Sequence, residues 1–120
     1  MTGTQNPEDL RQGTRKFASR VIRLYQSLSH KGAAEVIGMQ LLRSATSVGA
    51  NYRAACRGRS RNEFASKLGI VVEEADETVY WLELLEENEI VPAIRLKELL
   101  QEAHELTAIF TAARQTTRNN

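Results

Sequence analysis

Apolar residues recur about every 3.5 residues in four successive stretches of this sequence, and few folds satisfy that rhythm. The first stretch carries Phe17, Val21, Leu24 and Leu28. The second carries Leu41, Ala45, Val48, Tyr52 and Ala55. The third carries Phe64, Leu68, Val71, Ala75, Val79 (with Thr78 beside it) and Leu82, and the fourth Leu96, Leu99, Ala103, Leu106 and Phe110. Each set places one greasy stripe along a helix. Stripes of this period bury one another when helices pack at shallow angles, as in a left-handed bundle. The expectation is an all-α, antiparallel up-down-up-down four-helix bundle.

The turns between stripes carry recognisable chemistry. Asn6-Pro7-Glu8-Asp9 supplies a capping side chain, a first-turn proline and acids that the helix dipole favours. Gly13 weakens that first turn, so a start nearer Thr14 is a second expectation. Gly58 suits a left-handed residue after the second helix. Ser60-Arg61-Asn62-Glu63 then has capping-box spacing, predicting a very tight connection to the third helix. The helices are expected over roughly 7–28, 33–57, 61–88 and 92–115, with a frayed polar tail over Thr116–Asn120.

At 120 residues, with 42% hydrophobic and 26% charged residues, the chain fits one folded domain. No apolar run approaches the ~18 residues of a membrane span, and Met1–Leu10 lacks a signal peptide's apolar stretch. One cysteine makes no internal disulfide. A cytoplasmic protein is expected, without a membrane role.

A net charge of +1 conceals a division along the chain. Residues 1–67 hold 12 Lys/Arg against 4 Asp/Glu, and residues 68–120 hold 4 against 11. Such a division serves a polyanion, or mutual neutralisation between elements or copies. Lys16, Arg20 and Arg23 form one stripe of the first helix, and Arg53 and Arg57 an i, i+4 pair on the second. Arg43, Arg59, Arg61 and Lys67 extend the basic set. Guanidinium groups grip phosphate through paired hydrogen bonds, so these nine residues are the candidate nucleic-acid contacts. No base-reading motif accompanies them, so binding would be salt-sensitive and weakly selective.

The outer side of the third helix is acidic in its first half and apolar in its second. Ile70, Glu73, Glu77, Tyr80, Trp81 and Leu84 all fall there. Tyrosine and tryptophan anchor interfaces, which makes this set a candidate contact between copies, unless a neighbouring helix covers it. Ser47, Ala50 and Ala54 offer a small-residue groove on the second helix, beside Arg43 and Arg57.

Several ordered blocks resemble the bacterial four-helix-bundle proteins encoded in intervening sequences of large-subunit ribosomal RNA genes. The principal block is Gln40-Leu41-Leu42-Arg43-Ser44-Ala45-Thr46-Ser47-Val48-Gly49-Ala50-Asn51-Tyr52-Arg53. Others are Glu73-Glu74-Ala75-Asp76-Glu77-Thr78, Tyr80-Trp81-Leu82-Glu83-Leu84-Leu85 and Glu105-Leu106-Thr107-Ala108-Ile109-Phe110. A related branch is the accessory variability protein of diversity-generating retroelements. That resemblance implies a homo-oligomer, a pentamer in that branch, associated with RNA or DNA and with a reverse transcriptase.

Catalytic and metal chemistry find no footing in the sequence. A di-iron bundle needs Glu-x-x-His on two helices, whereas His30 falls in a loop and His104 follows Gln101 at that spacing. Cys56 is expected in the core, and Asn51 is expected to bond across to another helix. No phosphate-cradling glycine loop or nucleophile elbow appears. The sequence therefore predicts a non-enzymatic, cofactor-free homo-oligomer that binds nucleic acid. The alternative is a protein–protein adaptor whose charge division serves self-assembly and a protein partner.

Overall fold

The computed structural model of the chain describes residues 6–119. Four helices run antiparallel in sequence order: α1 (Pro7–Ser27), α2 (Gly32–Cys56), α3 (Arg61–Glu87) and α4 (Ala93–Asn119). Helix α2 packs along both α1 and α3, α3 packs along α4, and α1 meets α4 only narrowly. The result is an all-α four-helix bundle, 45 × 26 × 21 Å, as the four stripes predict. Alternating directions place the start of α1, the α2–α3 turn and the end of α4 at one end. Pro7, Gly58, Arg61 and Thr117 accordingly line one cleft there.

The stripe residues form one continuous core. Val21, Leu41, Leu68, Leu82, Leu96 and Phe110 are fully buried, and the α1 stripe runs back through Thr14 to Leu10. The Tyr52 and Phe110 rings meet with centroids 5.0 Å apart. Two hydroxyls join them inside: Thr78 lies 3.0 Å from Ser44, whose own hydroxyl donates to the Leu41 carbonyl. Glycine lets α1 seat closely on α2. A β-carbon on Gly38 would come within 2.9 Å of Leu28 Cδ1, and one on Gly49 within 3.1 Å of Thr14 Oγ1. These glycines are eleven residues apart, or about three turns, so both face α1.

Local chemistry explains the ends. The Asn6 side chain accepts from the Asp9 N–H at 2.8 Å, so α1 starts at Pro7 and Gly13 does not delay it. The tight α2–α3 turn forms with Ser60 accepting from the Glu63 N–H at 3.1 Å. Its reciprocal half differs from the expected box, since the Glu63 carboxylate accepts from the Arg59 N–H. Gly58 also departs from expectation: its backbone is not left-handed, and Gly32 is the glycine with positive φ among the described residues. Gly58 is small because space is short. A β-carbon there would lie 3.1 Å from the Ala55 carbonyl oxygen.

Three further expectations are corrected. Asn51 donates to the Ser47 carbonyl of its own helix at 2.9 Å rather than bridging helices, the local i−4 carbonyl competing with any partner across the seam. Cys56 is half-buried rather than enclosed, since it ends α2 beside the clefts of that end. Helix α4 continues through the predicted tail to Asn119, with the Thr117 hydroxyl bonded to the Ala113 carbonyl. Asn120 lies outside the described residues.

Helix α3 closes with a Schellman arrangement. The Ile90 N–H bonds to the Leu85 carbonyl and the Glu89 N–H to the Glu86 carbonyl, each at 3.0 Å. Glu89 takes the left-handed position at φ 56°, where glycine is usual.

Candidate nucleic-acid interface

Helix geometry divides the nine candidate cations into two sets. The stripe Lys16, Arg20, Arg23 faces the α1–α4 side, where Arg20 and Arg23 line a shallow cleft with Glu98. There Arg20 is ion-paired with Glu98 at 3.8 Å and more closely with Glu102. Arg43 likewise reaches from α2 to α3, pairing with Glu74 at 3.2 Å and with Glu77. Both arginines stitch helices together, which removes them from a free binding surface. The hydrogen bond to Glu77, above all, holds the Arg43 guanidinium above its ordinary pKa.

The second set gathers at the end shared by the α2–α3 turn. Arg53, Arg57, Arg59 and Lys67 are all exposed there, and none of their side chains forms an ion pair among the described residues, although the Arg59 backbone N–H bonds to the Glu63 carboxylate. Arg57, Arg59 and Lys67 line one cleft together with Ile70. Arg61 is exposed on the adjoining cleft with Arg11 and Phe64.

Besides Arg118 in the last turn of α4, three cations at this end fall outside the nine predicted from the sequence. Arg11 and Arg15 stand at i, i+4 on α1 and face Arg53 and Arg57 across a cleft of about 490 Å³. Their spacing matches that of Arg53 and Arg57 and was available as a signal; they precede Phe17, where the recognised stripe begins. Cys56 is the leading cause holding Arg11 above its usual pKa, with Glu8 next, 3.4 Å away. Beside Cys56, burial first and its bond to that thiol second push the Tyr52 hydroxyl pKa upward. The third cation is Arg114, whose guanidinium lies over Gly69. A β-carbon there would fall 3.1 Å from Cζ. Its Nε is buried without a hydrogen-bond partner among the described residues.

The candidate contact between copies also divides. Ile70 and Tyr80 are exposed, at 38% and 53%, and Glu73 is exposed with them. Glu77, Trp81 and Leu84 are partly covered by their own chain, because the α3 edge that carries them turns towards α2. The Trp81 indole packs against the core and donates to Glu77 at 2.9 Å. That bond first, and Arg43 second, hold the Glu77 carboxyl below the usual carboxylate range. Tyr80 stacks edge-on against Trp81, with centroids 4.9 Å apart, and presents the larger outward ring.

Among the described residues no three His, Cys, Asp or Glu side chains gather as a metal site would require, and no helix is long and apolar enough to cross a membrane. The fold and the gathered cations define the class: a small antiparallel four-helix bundle with positive charge concentrated at one end. Within it, the chain belongs to the family of 23S rRNA-intervening sequence proteins, which matches over residues 8–112. It is similar to a protein of unknown function from the S23 ribosomal protein family of Bacteroides thetaiotaomicron VPI-5482, whose crystal structure was determined at 1.70 Å. The two share 35% identity over 87% of this chain and 96% of that one, with a TM-score of 0.81. No curated protein matches the sequence.

Proposed function

We propose that this chain is a non-enzymatic, homo-oligomeric cytoplasmic protein that binds RNA or DNA through the arginine-rich end of its bundle. The observation that carries the reading is the set Arg53, Arg57, Arg59 and Lys67, exposed at one end with no side-chain ion pair among the described residues, Glu63 being the one carboxylate on the Arg57–Lys67 cleft. Arg20 and Arg43 are ion-paired within the chain, whereas these four side chains stay available to an external anion. Guanidinium forks fit phosphate, and the absence of aromatic neighbours along the Arg57–Lys67 cleft favours backbone contact over base stacking. Assembly is supported by the outward Tyr80 and Ile70 on α3, and five copies is the number that the family resemblance implies.

Salt-titrated fluorescence anisotropy with a labelled 20-nucleotide RNA tests the reading. Binding is expected in the micromolar range at ~50 mM salt, with a log–log salt slope of about −3 from four single-strand phosphate contacts. Changing Arg53 and Arg57 together to Ala should reduce the slope to about half. Undetectable binding at that salt, or a slope near zero, refutes nucleic-acid recognition. Light scattering that gives a monomer mass at micromolar concentration refutes assembly.

A further inference from the structure

The geometry points to the cleft between α1 and α2 as the seat of the nucleic-acid phosphodiester backbone, gripped by Arg11 and Arg15 on one side and Arg53 and Arg57 on the other. The inference rests on the nucleic-acid reading and narrows it to one place, half of which lies on a helix not assigned to binding above. Gly49 and Ala50 form its floor. Because Gly49 has no side chain, α1 approaches until Thr14 sits against the α2 backbone, and the floor stays shallow. The walls are long arginines. Each pair is four residues apart on its helix, so its members stand about 6 Å apart along the axis on the same side.

Like charges at this spacing repel, and here two such pairs face each other. Glu8, on Arg11, is the one carboxylate among the residues lining the cleft. Four guanidinium groups against one carboxylate leave a concentrated positive field that the fold itself does not neutralise. A run of phosphates relieves the repulsion and takes paired hydrogen bonds from each planar fork. No aromatic side chain lines the cleft, so bases find nothing to stack on and the strand is held by its backbone alone. Homopolymers of different base should therefore bind within about threefold of one another.

Cys56 opens onto the same cleft and is the chain's one cysteine, which supplies a reporter independent of mutation. The test measures anisotropy of a fluorescein-labelled 20-nucleotide oligo(U) RNA at ~50 mM salt with the full chain. The variant is R11Q/R15Q and the charge-matched control, at the far end, is K31Q/K97Q. Affinity should fall about tenfold or more in R11Q/R15Q and the log–log salt slope should lose about 1.4, two single-strand phosphate contacts. The control should stay within twofold of wild type. In the wild-type protein, saturating RNA should slow alkylation of Cys56 at least fivefold.

If wild type binds RNA but R11Q/R15Q binds equally well, or Cys56 alkylates at an unchanged rate, the cleft is overturned while nucleic-acid binding stands. Equal weakening by K31Q/K97Q overturns it too, because net charge then explains the effect. Displacement of RNA by polyglutamate at matched charge concentration makes the cleft a carboxylate site and overturns the phosphate assignment. If wild type binds no RNA, the broader reading fails first and the cleft with it.

Discussion

Arginines in the middle of the bundle and arginines at its turn end have opposite fates. Arg20 and Arg43 each reach across a helix seam to two glutamates on the neighbouring helix. Arg53, Arg57 and Arg15, on the same two helices, form no ion pair with a carboxylate among the described residues. The acids of α3 cluster at Glu73–Glu77, level with Arg43, and those of α4 at Glu98–Glu105, level with Arg20. At the turn end the facing stretches of α3 and α4 offer Lys67, Gly69, Arg114 and Arg118, and their one acid, Glu63, is engaged by the Ser60–Glu63 cap and the Arg59 N–H. The same residue type thus fastens helices in one place and stands ready for an outside anion in another, and the neighbouring helix decides which.

The comparison holds only if the turn end is as firmly built as the middle, and its largest test lies beneath the cations. Phe110 is fully buried against Tyr52 there. Phe110→Ala should cost about 3–5 kcal/mol of unfolding free energy in urea titrations. A loss under about 1 kcal/mol would mean a loosely packed basic end, and the contrast would be one of order rather than charge. At the opposite end the chain carries backbone strain, with Glu89 at φ 56°. Glu89→Gly should raise stability by about 1 kcal/mol, read as a higher urea midpoint at unchanged slope. No gain would show that the Glu89 side chain offsets its own backbone.

The smallest effect separates the two kinds of arginine directly. Arg43→Ala should lose about 0.5–1 kcal/mol at pH 7, a modest amount because the pair is largely exposed, whereas Arg53→Ala should stay within about 0.5 kcal/mol of wild type. The Arg43 deficit should also depend on pH. Glu77 ionises in the folded state below its ordinary value of 4.5, so the stability it contributes is present above that value and is lost as pH falls through the folded one. Thermal melts of wild type and Arg43→Ala should therefore converge as pH falls from 4.5 through the lowered folded-state value of Glu77. A gap that persists in acid would assign the effect to lost packing of the arginine stem.

The fold was legible because its determinants are local and repeated. Four stripes specify four helices, and Asn6, Ser60 and the Pro92 break mark where they begin. Pairings across helices were not legible, since they depend on which residues fall at one height in antiparallel neighbours. Arg20 and Arg43 therefore looked like Arg53 and Arg57. Asn51 was misjudged for a related reason: its bond to Ser47 is local and competes with any partner across the seam. Gly38, Gly49 and Gly69 gave no sign in the sequence that each admits a neighbour, because closeness belongs to the packed pair. Arg11 and Arg15 were visible at i, i+4 but lay ahead of the stripe that drew attention.

The start of α1 at Pro7 and the last turns of α4 open beside the α2–α3 turn. A peptide handle joined directly at Pro7 or at the last turn of α4 will hang over the arginines and shield them from a strand. Grafting the handle into the Ser29–Lys31 loop, at the far pole, leaves that surface clear.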